Sequence, residues 1–457
     1  MLLNELTAIM RNSGIVGAGG AGFPTYAKLD TRADTIVLNC AECEPLFKLH
    51  RQLLANNADK ILFALNEVKN AVGAQRVIIG IKPSYKDAIK ACEYFLPSYK
   101  NFSISLLPEV YPAGDEIILI YQTTGRVVKP GKLPISEGVT VFNVETMLNT
   151  YCALKENSGV CEKYLSVVGE VKNPITLKVP IGMKFKDVVA LAGGETIKNY
   201  VYLNGGVMTG SIADENSVVT KTTNAVMVLP DTHQVILKRL AKTQISIKRA
   251  MSSCCQCRSC TDLCSRGLLG HPIEPHALMR AASKGMDTDI KAVINTMYCS
   301  QCGLCEMYSC PQGLSPRTLI GVAKNELRKN KIPLPQPEYM GVKKEREYRC
   351  VPMKRLITRL GIEKYDKPAL YVPKNINPQY VKIMLSQHIG VPSAVCVKEG
   401  DNVVKGAVIA NAADGLSVSI HSSVSGTVKT VTDKYIIIEN KEINKTANSH
   451  KEVTANG

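Results

Sequence analysis

The sequence predicts a multidomain α/β protein on three observations. A chain of 457 residues is too long for one ordinary core. Strand-like and helix-like runs alternate through its first third, and turn-rich strand patterns return twice further on. Nine of its sixteen cysteines fall between positions 254 and 310, inside a stretch with helical patterning.

Taken in order, residues 1–155 read as an α/β unit. The runs 35–38, 76–81 and 103–107 are apolar and β-branched enough for strands, and 59–72 and 86–94 have helical spacing. Leu2, Leu3, Leu6, Ile9 and Met10 form a helical apolar face at the start. That face suits the first helix of the unit, and a shell-targeting helix is the other reading. Residues 156–240 are strand-rich, punctuated by Gly169, Asn173-Pro174, Gly193-Gly194 and Gly205-Gly206. Residues 241–335 are helical and hold the cysteine cluster. Residues 336–370 read as a linker, entered through a proline-rich run and carrying Lys343, Lys344, Arg346 and Arg349. Residues 371–445 read as a β-rich module, followed by a polar tail expected to fray.

Composition narrows the function. Apolar residues make up 45% and charged residues 21%, which are globular values. No run of about 18 apolar residues is present, so no membrane span is expected. The first 13 residues lack the basic start and long apolar core of a secretory signal, and a cytoplasmic protein is expected. The formal charge is +16. Two oxidised four-thiolate iron–sulfur clusters, at about −2 each, would bring it to roughly +12. Such a surface suits phosphate-bearing cofactors or acidic partners. With no Trp, seven Phe and no dense basic stripe outside 325–348, nucleic acid is not the expected partner.

The cysteines carry the chemistry. Cys254, Cys257, Cys260 and Cys264 stand at C-x2-C-x2-C-x3-C spacing. Cys299, Cys302, Cys305 and Cys310 stand at C-x2-C-x2-C-x4-C, with Pro311 next. A cubane [4Fe–4S] cluster takes one thiolate per iron: three cysteines in a tight loop reach three corners, and a more distant one supplies the fourth. In two-cluster ferredoxins the fourth cysteine serves the other cluster. By that pattern Cys310 joins Cys254, Cys257 and Cys260, while Cys264 joins Cys299, Cys302 and Cys305. Zinc is the alternative for paired C-x2-C units, but two complete triplets with a fourth cysteine each are redundant for it. Cys255 is an extra thiol beside the first ligand, and Ser265 stands where proline follows the second motif.

Near the N-terminus, Gly17, Gly19, Gly20 and Gly22 allow close backbone approach to a phosphate, and Lys28 adds a charge. A structural turn would use the same glycines, and no strand precedes them as a dinucleotide fingerprint requires. The segment GAGGAGFPTYAKL, however, resembles the flavin loop of the NADH-oxidising subunit of respiratory complex I. It resembles the RnfC family, from the Rnf complex, more closely still. Segments 39–45 (NCAECEP), 111–116 (YPAGDE) and 142–146 (FNVET) extend the likeness.

That resemblance implies a Rossmann-like flavin/NADH domain. In it Gly17, Gly19, Gly20, Gly22, Lys28, Asn39, Asn143 and Thr146 would contact FMN, Glu44 and Glu116 would act near the nicotinamide, and Lys129 would meet the NADH phosphates. The chain departs from the family at Ala18 (arginine there), Ala41 (aspartate), Asp115 (glutamate), Phe142 (asparagine) and Lys132 (near an aromatic).

Tyr164 to Pro174, with Ile181-Gly182 and Gly193-Gly194 after it, resembles a β-grasp domain of the soluble-ligand-binding (SLBB) kind. The cysteine zone corresponds to a helical ferredoxin-type domain with two [4Fe–4S] clusters. Residues 387–428 resemble the barrel-sandwich module of the RnfC family, with no lysine at a swinging-arm tip. In the RnfC proteins that module comes first; here it comes last. The permuted order resembles the cobalamin reductases of propanediol-utilisation microcompartments.

The resemblance implies an NADH-dependent oxidoreductase that passes electrons through flavin and clusters to cobalamin, for a partner adenosyltransferase, with shell proteins as further partners. Two other readings keep the cofactors: an Rnf-like adaptor feeding another reductase such as proline reductase, and a non-enzymatic microcompartment relay. His388 and His421 could ligate a corrin, although turn histidines with ordinary hydrogen bonds are the simpler reading.

Overall fold

The computed structural model describes residues 1–337 and 339–441. The sequence opens with helix α1 (Leu3–Asn12), which buries Leu6 and Met10 and leaves Leu2 exposed. Strands β1 (Thr35–Cys40), β2 (Arg76–Ile81), β3 (Phe102–Leu106), the short β4 (Val110–Tyr111) and β5 (Val139–Asn143) follow. β3, β2, β1 and β5 lie side by side in that order, all parallel.

Both faces of this sheet are covered, which is why its central strands are apolar almost throughout. Ile36, Leu38 and Cys40 point to a core shared with α1, α2 (Leu49–Asn56), α3 (Ala58–Val72) and α6 (Val144–Lys155). Val37 and Ala41, half a period away, face the other core with α5 (Glu116–Thr124). α4 (Lys86–Phe95) packs beside α2 and α3. The strand order reverses between β1 and β5. In open α/β sheets the crevice beyond the carboxyl ends of the strands at such a switch point is where ligands bind.

A mixed sheet comes next, in the order β7 (Ile175–Pro180), β6 (Glu162–Gly169), β10 (Ala225–Pro230), β8 (Tyr200–Asn204), β9 (Ser211–Ala213). The pair β6–β10 is parallel, and the helix Phe185–Leu191 covers one face. A buried ion pair ties this sheet to the first unit: Lys163 on β6 meets Glu145 on α6, and both side chains are sealed from water. Lys163 also donates to the Tyr164 carbonyl and to Asn224, each at 3.0 Å, so the ammonium is fully partnered.

The helices Thr243–Ser253, Pro275–Lys284 and Pro316–Lys329 pack through Ala250, Leu278, Met279, Leu319 and Ile320 and frame the cysteine loops. The last part of the chain forms two small antiparallel sheets around one core. One is β12 (Tyr380–Met384), β18 (Tyr435–Asn440), β17 (Gly426–Val431) and β14 (Asn402–Val403); the other is β13 (Ala394–Val395), β15 (Val408–Asn411) and β16 (Ile420–His421). This barrel sits on the N-terminal unit: Arg11 donates to the Ala413 carbonyl at 2.8 Å, and Lys221 bridges the carbonyls of Gly14 and Ser419.

Residues 351–370 correct the expectation of a linker. Val351–Pro352 (β11) pairs with β4, and the helix Met353–Leu360 buries Leu356 and Leu360 against the face of the mixed sheet that the first helix leaves open. Apolar residues at 353, 356, 357 and 360 follow a helical period, and the lysine and arginines between them masked it. The expected frayed tail, and residues 442–445 of the last module, lie outside the described residues. Among the described residues no helix is long and apolar enough to cross a membrane.

Candidate functional site

At the switch point between β1 and β5 lies a cavity of about 430 Å³. Gly17, Gly19, Gly20, Gly22, Lys28, Asn39, Glu116, Asn143 and Thr146 all line it. Their convergence follows from the topology. Asn39 and Asn143 stand opposite one another at the carboxyl ends of adjacent parallel strands. The glycine loop folds back across them, with the Gly17 N–H donating to the Phe23 carbonyl and Thr146 Oγ accepting from the Ala18 N–H.

Space is the reason for at least one glycine: a Cβ on Gly19 would lie 2.4 Å from Asn143 Nδ2. Lys28 Nζ sits 2.7 Å from Glu116 Oε1 and 3.0 Å from the Val141 carbonyl, so one wall of the cavity carries an ion pair. Thr25, which also lines the cavity, is buried and its hydroxyl has no protein partner. A vacant donor in a glycine-walled crevice at a switch point fits a phosphate-bearing planar cofactor such as FMN.

Two expected residues are elsewhere. Glu44 does not line the cavity. Its carboxylate accepts from the Met208 N–H at 3.0 Å, from the Thr209 N–H at 2.6 Å and from the Thr209 hydroxyl, which fixes it on the loop between β8 and β9. Lys129 is exposed and outside the cavity. Conversely, Thr25 and His50 were not expected. His50 is buried, its ring lies 3.3 Å from Asn143 Nδ2, and its backbone N–H donates to Glu42 Oε1. Burial holds the His50 pKa below the usual range. Thr25 lay within the glycine segment itself; nothing in the sequence marked His50.

The cysteines gather into two quartets. Cys254, Cys257, Cys260 and Cys310 surround one cavity, with Cys255 and His276 beside them. Cys264, Cys299, Cys302 and Cys305 surround a second, with Arg266 and Arg317 in its wall. Among the described residues no three His, Cys, Asp or Glu side chains converge as they would on a single metal ion. The four cysteines of each quartet line a common space.

The two loops also share a backbone shape. Gln256 and Arg258, two and four residues after Cys254, have positive φ; so do Gln301 and Gly303, at the same offsets from Cys299. Successive residues of this kind turn N–H groups toward one centre, making a nest for an anionic cluster. Gln301 N–H donates to Cys299 Sγ at 3.3 Å, and Leu314 N–H to Cys310 Sγ at 3.4 Å. Burial pushes the Cys260 and Cys264 thiols up to about 12, so their protons would have to leave as iron binds. An all-thiol donor set around a nest of N–H groups fits a [4Fe–4S] cluster.

One short segment joins the flavin cavity to the second quartet. Gly114 and Glu116 line the former. Between them, Asp115 caps α5 and pairs with Arg266 at 2.9 Å, and Arg266 lines the latter. Tyr111, at the start of the same segment, donates to the Cys302 carbonyl.

Of the histidines considered as corrin ligands, His421 is enclosed and His388 is half-buried. His421 is buried, with its ring against Gly159. His388 bonds the Ile389 carbonyl through one ring nitrogen, and its other nitrogen is buried.

Comparison with known proteins covers most of the chain. Residues 10–151 match the Nuo51 FMN-binding domain, 164–211 the SLBB domain, 253–315 the 4Fe-4S dicluster domain and 363–447 the RnfC barrel sandwich hybrid domain. The cobalamin reductase PduS of Citrobacter freundii is 39% identical over 435 residues, 94% of this chain and 95% of that one. Its counterpart in Salmonella typhimurium is 37% identical over 441 residues, 95% and 96% of the two chains. A component of the Na(+)-translocating ferredoxin:NAD(+) oxidoreductase complex of Acetobacterium woodii is 32% identical over 267 residues, 57% of this chain and 58% of that component.

Proposed function

The chain belongs to the PduS cobalamin reductase family, and on that footing we propose that it is an NADH-dependent oxidoreductase that reduces cobalamin from cob(III)alamin towards cob(I)alamin. One observation carries the reading. The single stretch 111–116 lines the flavin cavity through Gly114 and Glu116 and reaches a cysteine quartet through the Asp115–Arg266 pair and the Tyr111–Cys302 hydrogen bond, so a donor site and a one-electron carrier site are linked by one short segment.

FMN accepts two electrons as hydride and releases them singly, and [4Fe–4S] clusters carry single electrons; that is the chemistry these groups supply when bound. The chain's own part is to hold and orient. Gly17, Gly19, Gly20 and Gly22 let the backbone approach the cofactor phosphate, and the Thr25 hydroxyl offers it a donor. Asn39, Asn143 and Thr146 hold the floor, and Lys28 places a positive charge beside Glu116 at the cavity wall. Glu116, in the cavity wall beside Lys28, would act near the nicotinamide. Glu44 acts through the Thr209 loop rather than on substrate, and Lys129 is available to NADH phosphates from the surface.

Cys254, Cys257, Cys260 and Cys310 would hold one cluster, and Cys264, Cys299, Cys302 and Cys305 the other. The reduced cobalamin would serve an adenosyltransferase, within a propanediol-utilisation microcompartment.

The test is anaerobic. Full-length protein with stoichiometric flavin, NADH and cob(III)alamin should show NADH-dependent bleaching of the cobalamin spectrum. Reduction of the clusters by NADH with cobalamin untouched would reject the proposed acceptor. Absence of both flavin and NADH oxidation would reject the enzyme.

A further inference from the structure

Arg266 is 15% exposed and Asp115 10%, and they meet in a fork: Nη2 lies 2.9 Å from Oδ2, and Nε 3.1 Å from Oδ1 and 3.3 Å from Oδ2. Arg266 stands two residues after Cys264 and lines the cavity of its quartet. Asp115 meanwhile accepts from the Ile117 and Ile118 N–H groups, so its position is fixed by α5, whose first residue lines the flavin cavity. A buried guanidinium costs desolvation, and Asp115 offsets that cost by pairing.

The charge is not spent entirely on the partner. A cation in a low-dielectric wall acts on any charge change in the cavity it faces, where water screens little. Resting on the reading that Cys264, Cys299, Cys302 and Cys305 hold a [4Fe–4S] cluster, we infer that the Asp115–Arg266 pair sets the reduction potential of that cluster. One-electron reduction adds a negative charge to the four-thiolate assembly; one electron enters, and no bond forms or breaks. Arg266 stabilises the added charge and raises the potential. Asp115 opposes it, and thereby tunes the cluster from the segment that also walls the flavin cavity. The pair is a positioning and tuning device; neither residue lines the flavin cavity.

The two charges give opposite predictions, which a clamp between segments does not. Removing Arg266 leaves an uncompensated carboxylate and lowers the potential. Asp115→Asn leaves an uncompensated guanidinium and raises it, and asparagine still caps α5.

The experiment is a dithionite titration of anaerobically purified full-length protein, read by paramagnetic resonance, after iron and labile sulfide have been counted. In Arg266→Gln one of the two cluster signals should shift to lower potential while the other stays. In Asp115→Asn the same signal should shift upward, and Arg266→Lys should restore the native value. Shifts in one direction for both charge-removing variants, or no shift in either, overturn the inference while leaving the cluster assignment standing. If Arg266→Gln loses its cluster, Asp115→Asn and Arg266→Lys still decide the sign. Native protein with no cluster signal overturns the cluster reading, and the inference with it.

Discussion

The phenol of Tyr111 donates its proton to the backbone carbonyl of Cys302, across 191 residues of sequence. Tyr111 is buried in the core shared by the mixed sheet, Leu304 and the 351–369 segment. Tyr111→Phe keeps the ring and leaves a buried carbonyl without its partner. The expected loss is about 1–3 kcal/mol of stability, read as a lower urea midpoint. An unchanged midpoint would mean that water replaces the hydroxyl.

The quartets make a prediction that sequence order does not. Cys264→Ser should perturb the same cluster signal as Cys302→Ser, although Cys264 belongs to the first motif. Cys310→Ser should perturb the signal that Cys257→Ser perturbs. Pairing within each motif instead would contradict the grouping of thiols around the two cavities.

Lys221 is buried and donates to the carbonyls of Gly14 at 2.7 Å and Ser419 at 2.9 Å, with no carboxylate among those partners. Burial, partly opposed by the nearby Cys161 thiol, lowers its pKa to about 7. The unfolded chain, with a lysine near 10.4, therefore binds the proton more tightly. Stability should rise with pH between about 7 and 10, and the penalty on the order of 5 kcal/mol should be fully present below that window. Because other groups titrate there too, the readout is the difference between native protein and Lys221→Met, followed by urea unfolding at each pH. That difference should grow in favour of the native chain as pH rises; a flat difference would show that the amine keeps its proton when folded.

Gly19→Ala places a methyl group 2.4 Å from Asn143 Nδ2 in the wall of the flavin cavity. The side chain has to move or the loop has to open, and both spoil the cofactor site. Flavin affinity should fall at least about tenfold, equivalent to roughly 1.4 kcal/mol, in a fluorescence titration of the flavin-free protein. Unchanged affinity would place the flavin away from Gly19.

The parts legible in the sequence are those fixed by local pattern. The runs at 35 and 76 became parallel strands because β-branched residues in short apolar runs suit a sheet covered on both faces, and the run at 103, with serine at alternate positions, became the more exposed strand at the sheet edge. The cysteine spacings and the glycine loop place most of their residues within a few positions of one another, so three members of each quartet and most of the cavity lining stand in local motifs, while the crossed fourth cysteines follow the two-cluster ferredoxin pattern.

What could not be read depends on distant contacts. Glu44 finds Thr209, 165 residues away, and Asp115 finds Arg266, 151 residues away. No local signal encodes either pairing. The helix Met353–Leu360 was hidden by its charged face, since a run rich in Lys and Arg reads as solvated until its apolar stripe is phased at helical spacing.

Electron conduction from NADH through a flavin and thiolate-bound iron within one chain is the core of the proposed function. It is tested by metal and sulfide analysis of anaerobically prepared protein, followed by NADH titration under visible and paramagnetic spectroscopy. The expected result is about eight iron and eight labile sulfide per chain, with flavin and cluster absorbance bleached by NADH and reduced-cluster signals growing in step. Zinc without labile sulfide, or intact clusters that NADH leaves oxidised, would contradict it.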